Sequence, residues 1–305
     1  MTQSSSPRVN VKPTNNTALV THRGCLDGTG SALMFMLAGG KRENILFCNP
    51  SGCILKDGEL LPNIDEVWYA DCCPDDLTNP ACGLPFKVFD HHASNQKKHC
   101  NDSRCIFDMT KSGTSLIAAV LGHDDKKFFN EATRVINAIE AYDLGRFDNK
   151  DGQQLADLAA SYSQEELLTH LYNHWWCSDR IWEYACFLIR SEAMKFARDV
   201  YSTQAANNAH YSTILVNNIK IKAGTAVSPV HWKNDTAMKI LNSGKADLAV
   251  LIDPTSQMIS LRSLAGGPDC SIIAAAYNGG GHACAAGFKA NGQAMLKSLI
   301  DEVLG

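Results

Sequence analysis

Long apolar runs are missing from this sequence of 305 residues. No stretch approaches the roughly 18 to 20 apolar residues that a membrane-spanning helix needs, so no membrane partner is expected. Excess positive charge is missing too, because 28 Lys and Arg stand against 32 Asp and Glu, and the net charge is -4. This balance argues against a broad basic surface for long nucleic acids, but it permits a local basic pocket for a small anion.

Paired C-x-x-C spacings are also missing, although the chain has 12 cysteines. The cysteine spacing therefore does not predict a structural zinc site. Residues 1–16 are polar and lack the apolar core of a signal peptide, so we expect a disordered tail and a cytoplasmic protein. In a reducing compartment most of the cysteines are expected to be free, buried thiols.

The first half of the chain alternates between short apolar runs and amphipathic stretches. The runs predict strands at 18–21, 44–48, 67–70 and 86–89. The stretches predict helices after Gly28-Thr-Gly-Ser31, from Ser112 onward and over 131–140. This alternation predicts an α/β domain over 17–163, with a mostly parallel sheet flanked by helices.

The second half changes texture twice. Residues 164–208 read as helical and strand-free, which predicts a helical connector. Residues 209–305 predict a second, smaller α/β domain. Its strands are expected at 213–216, 219–223, 248–252 and 258–262, and its helices at 236–243 and 294–304.

Polar side chains follow three of the predicted strands at the point where each strand ends. His22 and Asp27 follow the first strand, Asp71 the third, and Asp90-His91-His92 the fourth, while Asp143 follows a helix. Ligands of open parallel sheets bind outside the carboxyl ends of the strands. One such residue alone is more often a turn or a cap, but together they indicate a site. Carboxylates with imidazoles suit Mn²⁺, and a bridging carboxylate would allow two ions.

The C-terminal domain carries a second polar motif. Three glycines at 279–281 precede His282 and would allow close backbone approach to a ligand. Arg262 ends a predicted strand, and its guanidinium could grip a phosphate or carboxylate. The alternatives are a flexible turn for the glycines and a surface ion pair for Arg262.

These motifs together resemble the DHH phosphoesterase superfamily, in its two-domain type with a C-terminal DHH-associated domain. Asp90-His91-His92 resembles the motif that names the family, and Gly279–His282 followed by Ala285–Phe288 resembles the signature of the associated domain. Ser112-Gly113 and Tyr142–Leu144 resemble two intervening motifs. The resemblance covers the chain from Ala18 to the C-terminus. Within the superfamily, the sequence resembles the nanoRNase and cyclic-dinucleotide phosphodiesterase type.

The resemblance implies a hydrolase with two Mn²⁺ ions in the 17–163 domain and an active site in the cleft between the domains. One ion would bind His22 and Asp71, and Asp71 would bridge to a second ion. The ligands implied for the second ion are Asp27, Asp71, His91 and Asp143. The residues implied for catalysis are Asp90, which would orient His91, and His92, which would face the substrate phosphate. The residues implied for substrate binding are Ser112, Arg262, Ser263, Gly280, Gly281 and His282.

Cys25 departs from the usual pattern of the family, which has an Asp two residues before Asp27. A Cys25 thiolate could bind an ion, although sulfur prefers softer metals than Mn²⁺. A Cys25 thiol would instead leave the first ion with fewer ligands. Both alternatives stay open, and with them the occupancy of the first metal site.

The resemblance implies hydrolysis of phosphoester bonds in small nucleotides, such as dinucleotides or short single-stranded oligonucleotides. The net charge favours short substrates over long nucleic acids. One alternative is an inorganic pyrophosphatase or exopolyphosphatase, and another is a sensor that binds nucleotides without hydrolysing them. The sequence also leaves open whether the protein is a homodimer.

Overall fold

The computed structural model describes residues 12–49, 53–121, 126–146, 148–174, 185–216, 219–228 and 232–290. The chain divides into two compact units, Met1–Glu192 and Ala193–Gly305. The helix predicted at 294–304 and most of the tail predicted at 1–16 lie outside the described residues. Within the described part of the chain, no helix has the length and apolar character needed to cross a bilayer.

The first unit contains a sheet of five parallel strands, as the alternation of strand and helix predicts. The strands are β1 (Thr17–His22), β2 (Ile45–Cys48), β3 (Glu66–Ala70), β4 (Phe86–Asp90) and β5 (Cys105–Phe107). Their order across the sheet is β2-β1-β3-β4-β5. The strands β1, β3 and β4 are therefore neighbours, and their carboxyl ends share one edge of the sheet.

Helices lie between and after these strands. They are α1 (Leu26–Leu37), α2 (Ala93–His99), α3 (Gly113–Leu121), α4 (Lys126–Asp143), α5 (Lys150–Ser161) and α6 (Gln164–His174). A short 3₁₀ turn, Arg42–Asn44, precedes β2. Helices α1 and α3 both begin at the sheet edge where β1, β3 and β4 end. Helix α1 begins at Leu26, four residues after β1 ends, and the first residue of α3, Gly113, lies against Asp27 and Asp71.

The two faces of this sheet bury different side chains, as the two-residue period of a strand requires. Leu19 of β1 packs in one core with helical residues, and its neighbours Ala18 and Val20 pack in the other core. In the helical core the rings of Phe35, Trp68 and Phe89 pack edge to face. The opposite core is covered mainly by the irregular segment between β2 and β4, so the helices concentrate on one face.

The predicted connector is helical where the structure describes it. Its first helix, α6, buries Leu167, Leu168 and Leu171 in the helical core of the first unit. The next described helix, α7 (Ala185–Asn207), contains the boundary between the two units. The helical character was readable from the sequence, but the attachment of α6 to the first core was not.

The described part of the second unit contains a six-stranded mixed sheet, with two helices after the end of α7. Its strands are β6 (His210–Val216), β7 (Ile219–Val227), β8 (Leu248–Asp253), β9 (Met258–Ser263), β10 (Gly280–His282) and β11 (Ala285–Lys289). Its helices are α8 (Lys233–Asn242) and α9 (Cys270–Ala275). The strand order is β10-β11-β9-β8-β7-β6, and only β7 and β8 pair in parallel. The predicted fold class, α/β in two domains, is confirmed.

Candidate metal centre

Asp71 lies between two histidines at the shared edge of the first sheet. It directly follows β3, while His22 ends β1 and His91 follows β4. Asp71 Oδ2 is 3.4 Å from His22 Nδ1, and Asp71 Oδ1 is 3.3 Å from His91 Nε2. The backbone of Asp71 has a φ of 54°, which is uncommon for a residue other than glycine. The fold thus holds a buried carboxylate in a costly conformation, a feature that is concentrated at functional sites.

Two further carboxylates converge on the same nitrogen of His91. His91 Nε2 lies 3.7 Å from Asp27 Oδ2 and 3.4 Å from Asp143 Oδ2. The Oδ2 atom of Asp143 is buried and accepts no hydrogen bond from any residue that the structure describes. A buried carboxylate oxygen of this kind keeps lone pairs that it could donate to a bound cation.

The amino terminus of α3 positions Asp27. The backbone N–H groups of Gly113 and Thr114 donate to the two carboxylate oxygens of Asp27, over 2.6 and 2.9 Å. The hydroxyl of Thr114 also donates to the main-chain oxygen of Asp27, over 3.0 Å. A helix start favours a negative charge through its unpaired N–H groups. A Cβ atom on Gly113 would stand 2.8 Å from Cβ of Asp71, so this close approach requires glycine.

The side chain of Cys25 also points into this centre. Its Sγ donates to Asp71 Oδ2 over 3.2 Å and accepts from the N–H of Gly28, which caps α1. Burial and the charges of Asp71 and Asp27 raise the pKa of this thiol well above its ordinary value. The structure therefore places the sulfur of Cys25 beside Asp71, and this burial and charge favour the protonated thiol.

The titrating groups of this centre shift one another's pKa values through their charges. Burial and the charge of Asp27 raise the pKa of Asp143 well above its ordinary value, and burial and the charge of Asp71 raise that of Asp27. Burial alone lowers the pKa of His91, but the hydrogen bond to Asp71 and the charge of Asp143 outweigh it and bring the pKa to about 10. A divalent cation would replace these protons and relieve the repulsion between the carboxylates.

The donor atoms form two neighbouring groups of the right size for ions. Ligand atoms of His22, Cys25 and Asp71 lie within 4.8 Å of one another, and so do those of Asp27, His91 and Asp143. Two groups that meet near Asp71 suit two ions sharing one carboxylate. The set of carboxylates and imidazoles fits Mn²⁺ or a similar ion, and the one sulfur extends the fit to softer ions. We call these six residues the metal centre.

Asp90 fixes the ring of His92. Its buried carboxylate accepts from His92 Nδ1 over 2.7 Å, from the His91 backbone N–H over 2.8 Å and from Asn95 Nδ2 over 2.7 Å. Burial alone lowers the pKa of His92, but the charge of Asp90 outweighs it and brings the pKa to about 9. The resemblance implied that Asp90 orients His91. In the structure Asp90 bonds the ring of His92 and the main chain of His91, while the His91 ring meets Asp71.

Gln164 holds the loop that carries His22 and Cys25, and nothing local in the sequence indicated this. Its Oε1 accepts from the Gly24 N–H over 2.8 Å, and its Nε2 donates to the main-chain oxygens of His22 and Cys25 over 3.0 and 3.3 Å. Gln164 begins α6, 140 residues after the loop. Asn95 was missed in the same way, because its role depends on the folded position of Asp90.

The side chain of Ser112 forms a hydrogen bond with the first turn of α3. It is buried, and its Oγ accepts from the Ser115 N–H over 3.2 Å. The role implied by the resemblance, contact with substrate, stays a prediction.

The substrate-binding residues predicted in the second unit lie on β9 and β10, which both pair with β11. His282 of β10 pairs with Ala285 of β11, which pairs with Arg262 of β9. His282 and Arg262 thus occupy one row, on the same face of the sheet and about 10 Å apart. Arg262 Nε donates to Asn234 Oδ1 over 2.9 Å, and the backbone N–H of Ser263 donates to the Cys284 carbonyl.

The glycines of this edge are required by close packing. Gly281 has a φ of 137°, and a Cβ atom there would stand 2.5 Å from the Ala285 carbonyl oxygen. Gly280 pairs with Gly287 across the same ladder. Arg262, Ser263, Gly280, Gly281 and His282 therefore belong to one local structure, and their contact with substrate stays a prediction.

No family model matches this chain, and no curated protein matches it in sequence. Solved structures do match its fold. A structure of the exonuclease RecJ bound to manganese aligns with 95% of this chain and 89% of its own, at 14% identity and a TM-score of 0.54. This likeness shows the fold.

Two weaker matches have TM-scores below 0.5. PggH, a pGpG-specific phosphodiesterase from Vibrio cholerae, covers 93% of this chain and 99% of its own at 12% identity, with a TM-score of 0.44. An exopolyphosphatase-related protein from Bacteroides fragilis covers 95% and 92% at 14% identity, with a TM-score of 0.43.

Proposed function

We propose that this protein is a metal-dependent phosphoesterase of the DHH superfamily. The observation that carries the proposal is the position of Asp71. One of its carboxylate oxygens lies 3.4 Å from His22 and the other 3.3 Å from His91, so a single side chain joins both groups of donors. The fold shared with RecJ and the DHH motif at the same sheet edge support the same conclusion.

His22, Cys25 and Asp71 would hold one divalent ion, and Asp27, Asp71, His91 and Asp143 the other. Two such ions would supply a nucleophilic water and stabilise the charge on the phosphoryl oxygens. We propose Mn²⁺ as the resident ion, because five of the six side chains offer oxygen or imidazole nitrogen.

His92 is the residue that we assign to the substrate phosphate. Its Nδ1 bonds Asp90, which fixes the orientation of the ring, so a ligand would have to meet the ring through Nε2. A protonated His92 Nε2 would donate a hydrogen bond to a phosphate oxygen and could pass its proton to the leaving oxygen. Asp90 and Asn95 would keep the ring in that position.

The substrate class that we propose is the small nucleotide: a dinucleotide or a short single-stranded oligonucleotide. Arg262 and His282 share one row of the second sheet, and a guanidinium with an imidazole suits a phosphate or carboxylate group. The net charge of -4 favours short ligands over long polymers. That the two units close over the substrate from either side of a cleft stays a prediction.

A second function, a sensor that binds nucleotide without hydrolysis, is favoured by one observation. The Sγ of Cys25 lies 3.2 Å from Asp71 Oδ2, and a thiol that kept its proton there would leave the first ion weakly held. Pyrophosphatase or exopolyphosphatase activity is the alternative within the same chemistry.

A panel assay separates these functions. Purified protein with Mn²⁺ is incubated with a linear dinucleotide, a cyclic dinucleotide, 3'-phosphoadenosine 5'-phosphate and pyrophosphate, each beside the Asp71→Asn variant. We expect turnover of at least one nucleotide by the wild type and none by the variant. Turnover of pyrophosphate alone would favour the pyrophosphatase, and nucleotide binding without turnover would favour the sensor. Equal activity of wild type and variant would refute the metal centre.

A further inference from the structure

A second group of potential metal ligands lies beside the metal centre and consists only of thiols. Cys48 ends β2, Cys53 follows five residues later, and Cys72 directly follows Asp71. The sulfur atoms of these three cysteines all lie within 4.8 Å of one another. Cys53 and Cys72 are buried, and Cys48 is half-buried. We call Cys48, Cys53 and Cys72 the thiol cluster.

We propose that the thiol cluster binds a thiophilic divalent cation such as Zn²⁺, at a site separate from the metal centre. Zinc–sulfur bonds of about 2.3 Å place the sulfurs of a tetrahedral site about 3.8 Å apart. The cluster already holds its sulfurs within 4.8 Å, so small side-chain adjustments would complete the site. Three protein ligands leave a fourth position for water, and the partly exposed Cys48 gives it a route to solvent.

The donor chemistry separates this site from the metal centre. Three thiolates select soft ions, whereas carboxylates and imidazoles suit Mn²⁺ and similar ions. On binding, each thiol would release its proton to solvent, as metal-bound cysteines do. The two sites would therefore take different metals from one solution, without sharing a ligand.

The competing explanation is that the three thiols are apolar packing. They do belong to the hydrophobic core on the irregular face of the sheet, with Val20 and Tyr69. Packing accounts for the burial of these cysteines, but it does not require their sulfurs to converge from three separate places in the chain. Five residues separate Cys48 from Cys53, and 19 separate Cys53 from Cys72, so no local repeat brings them together.

An ion in the thiol cluster would brace the backbone of the metal centre. Cys48 pairs with His22 in the β1–β2 ladder, and Cys72 is the chain neighbour of Asp71. An ion that joins Cys48 of β2 to Cys72 after β3 would thus restrain the end of β1, which carries His22. It would also restrain the strained residue Asp71, which follows β3. We expect the loaded protein to melt at a higher temperature than the metal-free protein.

Cadmium titration tests the proposal directly. Wild-type protein, reduced and saturated with Mn²⁺ to fill the metal centre, is titrated with Cd²⁺ while the ultraviolet charge-transfer band of cadmium-bound thiolate is recorded. We expect one tight equivalent, with the intensity of three thiolates. Cys48→Ser and Cys53→Ala should each remove this tight equivalent, because two sulfurs hold the ion less firmly than three.

Matched controls separate the cluster from the other cysteines. Cys25→Ser removes the thiol of the metal centre, and Cys100→Ser removes an exposed thiol. Both variants should keep the full band. Circular dichroism confirms folding, and the half-buried Cys48→Ser remains informative if the buried Cys53→Ala fails to fold. The absence of a tight equivalent in the wild type would overturn the proposal, as would loss of the band in Cys25→Ser with its retention in Cys48→Ser. Neither result depends on hydrolysis, so the thiol-cluster proposal can fail while the proposed function holds, and the reverse is also true.

Discussion

The side-chain amide of Gln164 donates a hydrogen bond over 3.0 Å to the main-chain carbonyl of His22, 142 residues earlier in the chain. The same side chain accepts from Gly24 and donates to Cys25. It therefore joins the start of α6 to the loop between β1 and α1, where two donors of the metal centre lie. The position of His22 and Cys25 thus depends on a helix that contributes no residue to the metal centre.

Replacing Gln164 by Ala should weaken metal binding without abolishing folding. The loop would lose three hydrogen bonds, and loss of a group that orients a ligand typically costs about 10- to 100-fold in metal affinity. Calorimetric titration with Mn²⁺ measures this change. Gln154→Ala is the matched control, because the side chain of Gln154 donates to Ser191 Oγ, which lies outside this loop. Equal affinity of the two variants would contradict the role of Gln164.

Replacing Asn95 by Ala should lower kcat while Mn²⁺ affinity stays near that of the wild type. Asn95 donates to Asp90, which holds the ring of His92, so its loss would loosen a ring that meets the substrate phosphate. We expect a decrease of about ten-fold, as for other positioning hydrogen bonds. Steady-state kinetics with the nucleotide found active gives kcat and KM separately. Lys97→Ala, on the same helix and exposed, should change neither.

Replacing Gly113 by Ala should destabilise the protein, although alanine favours a helix. Helix propensity alone predicts a gain of up to about 1 kcal/mol in the free energy of unfolding. The added Cβ would stand 2.8 Å from Cβ and 2.9 Å from the backbone nitrogen of Asp71, so overpacking should cost about 1 to 3 kcal/mol. Urea denaturation measures the sign of the change. A more stable variant would show that α3 and Asp71 can move apart freely.

Replacing Asp71 by Asn should abolish hydrolysis and reduce the number of bound Mn²⁺ ions. The amide keeps the size of the side chain but removes the charge that His22 and His91 share. We expect kcat/KM to fall by at least about 100-fold, more than for the loss of a supporting group. Mn²⁺ stoichiometry by electron paramagnetic resonance is the second readout. Asp75→Asn, an exposed carboxylate paired with Lys98, should behave as the wild type.

Replacing Cys25 by Asp should shift the metal preference of the first site towards Mn²⁺. The change restores the residue that the family pattern has at this position and replaces a soft donor by a hard one. Competition between Mn²⁺ and Zn²⁺ measures the ratio of the two dissociation constants. Cys25→Ser serves as the control, because it removes sulfur without adding a charge. An unchanged ratio in Cys25→Asp would mean that Cys25 does not face an ion.

The sequence by itself determined the alternating strands of the first unit and the edge at which its polar residues gather. The apolar run before each of His22, Asp71 and Asp90 is local, and parallel strands bring their carboxyl ends to one side. The placement of those residues could therefore be predicted without coordinates. The triplet of glycines and His282 was similarly readable as one local motif.

Only the tertiary structure decided the relationships that cross long stretches of chain. Gln164 reaches its loop across 140 residues, and Gly113 meets Asp71 through the packing of α3 on the sheet edge. The sequence did not place the sulfur of Cys25 against Asp71, and whether it binds an ion as a thiolate stays a prediction. The cysteine spacing predicted no soft-metal site, yet β2 and β3 bring Cys48, Cys53 and Cys72 together. Periodicity and spacing report only on neighbours along the chain, whereas these contacts depend on which elements pack side by side.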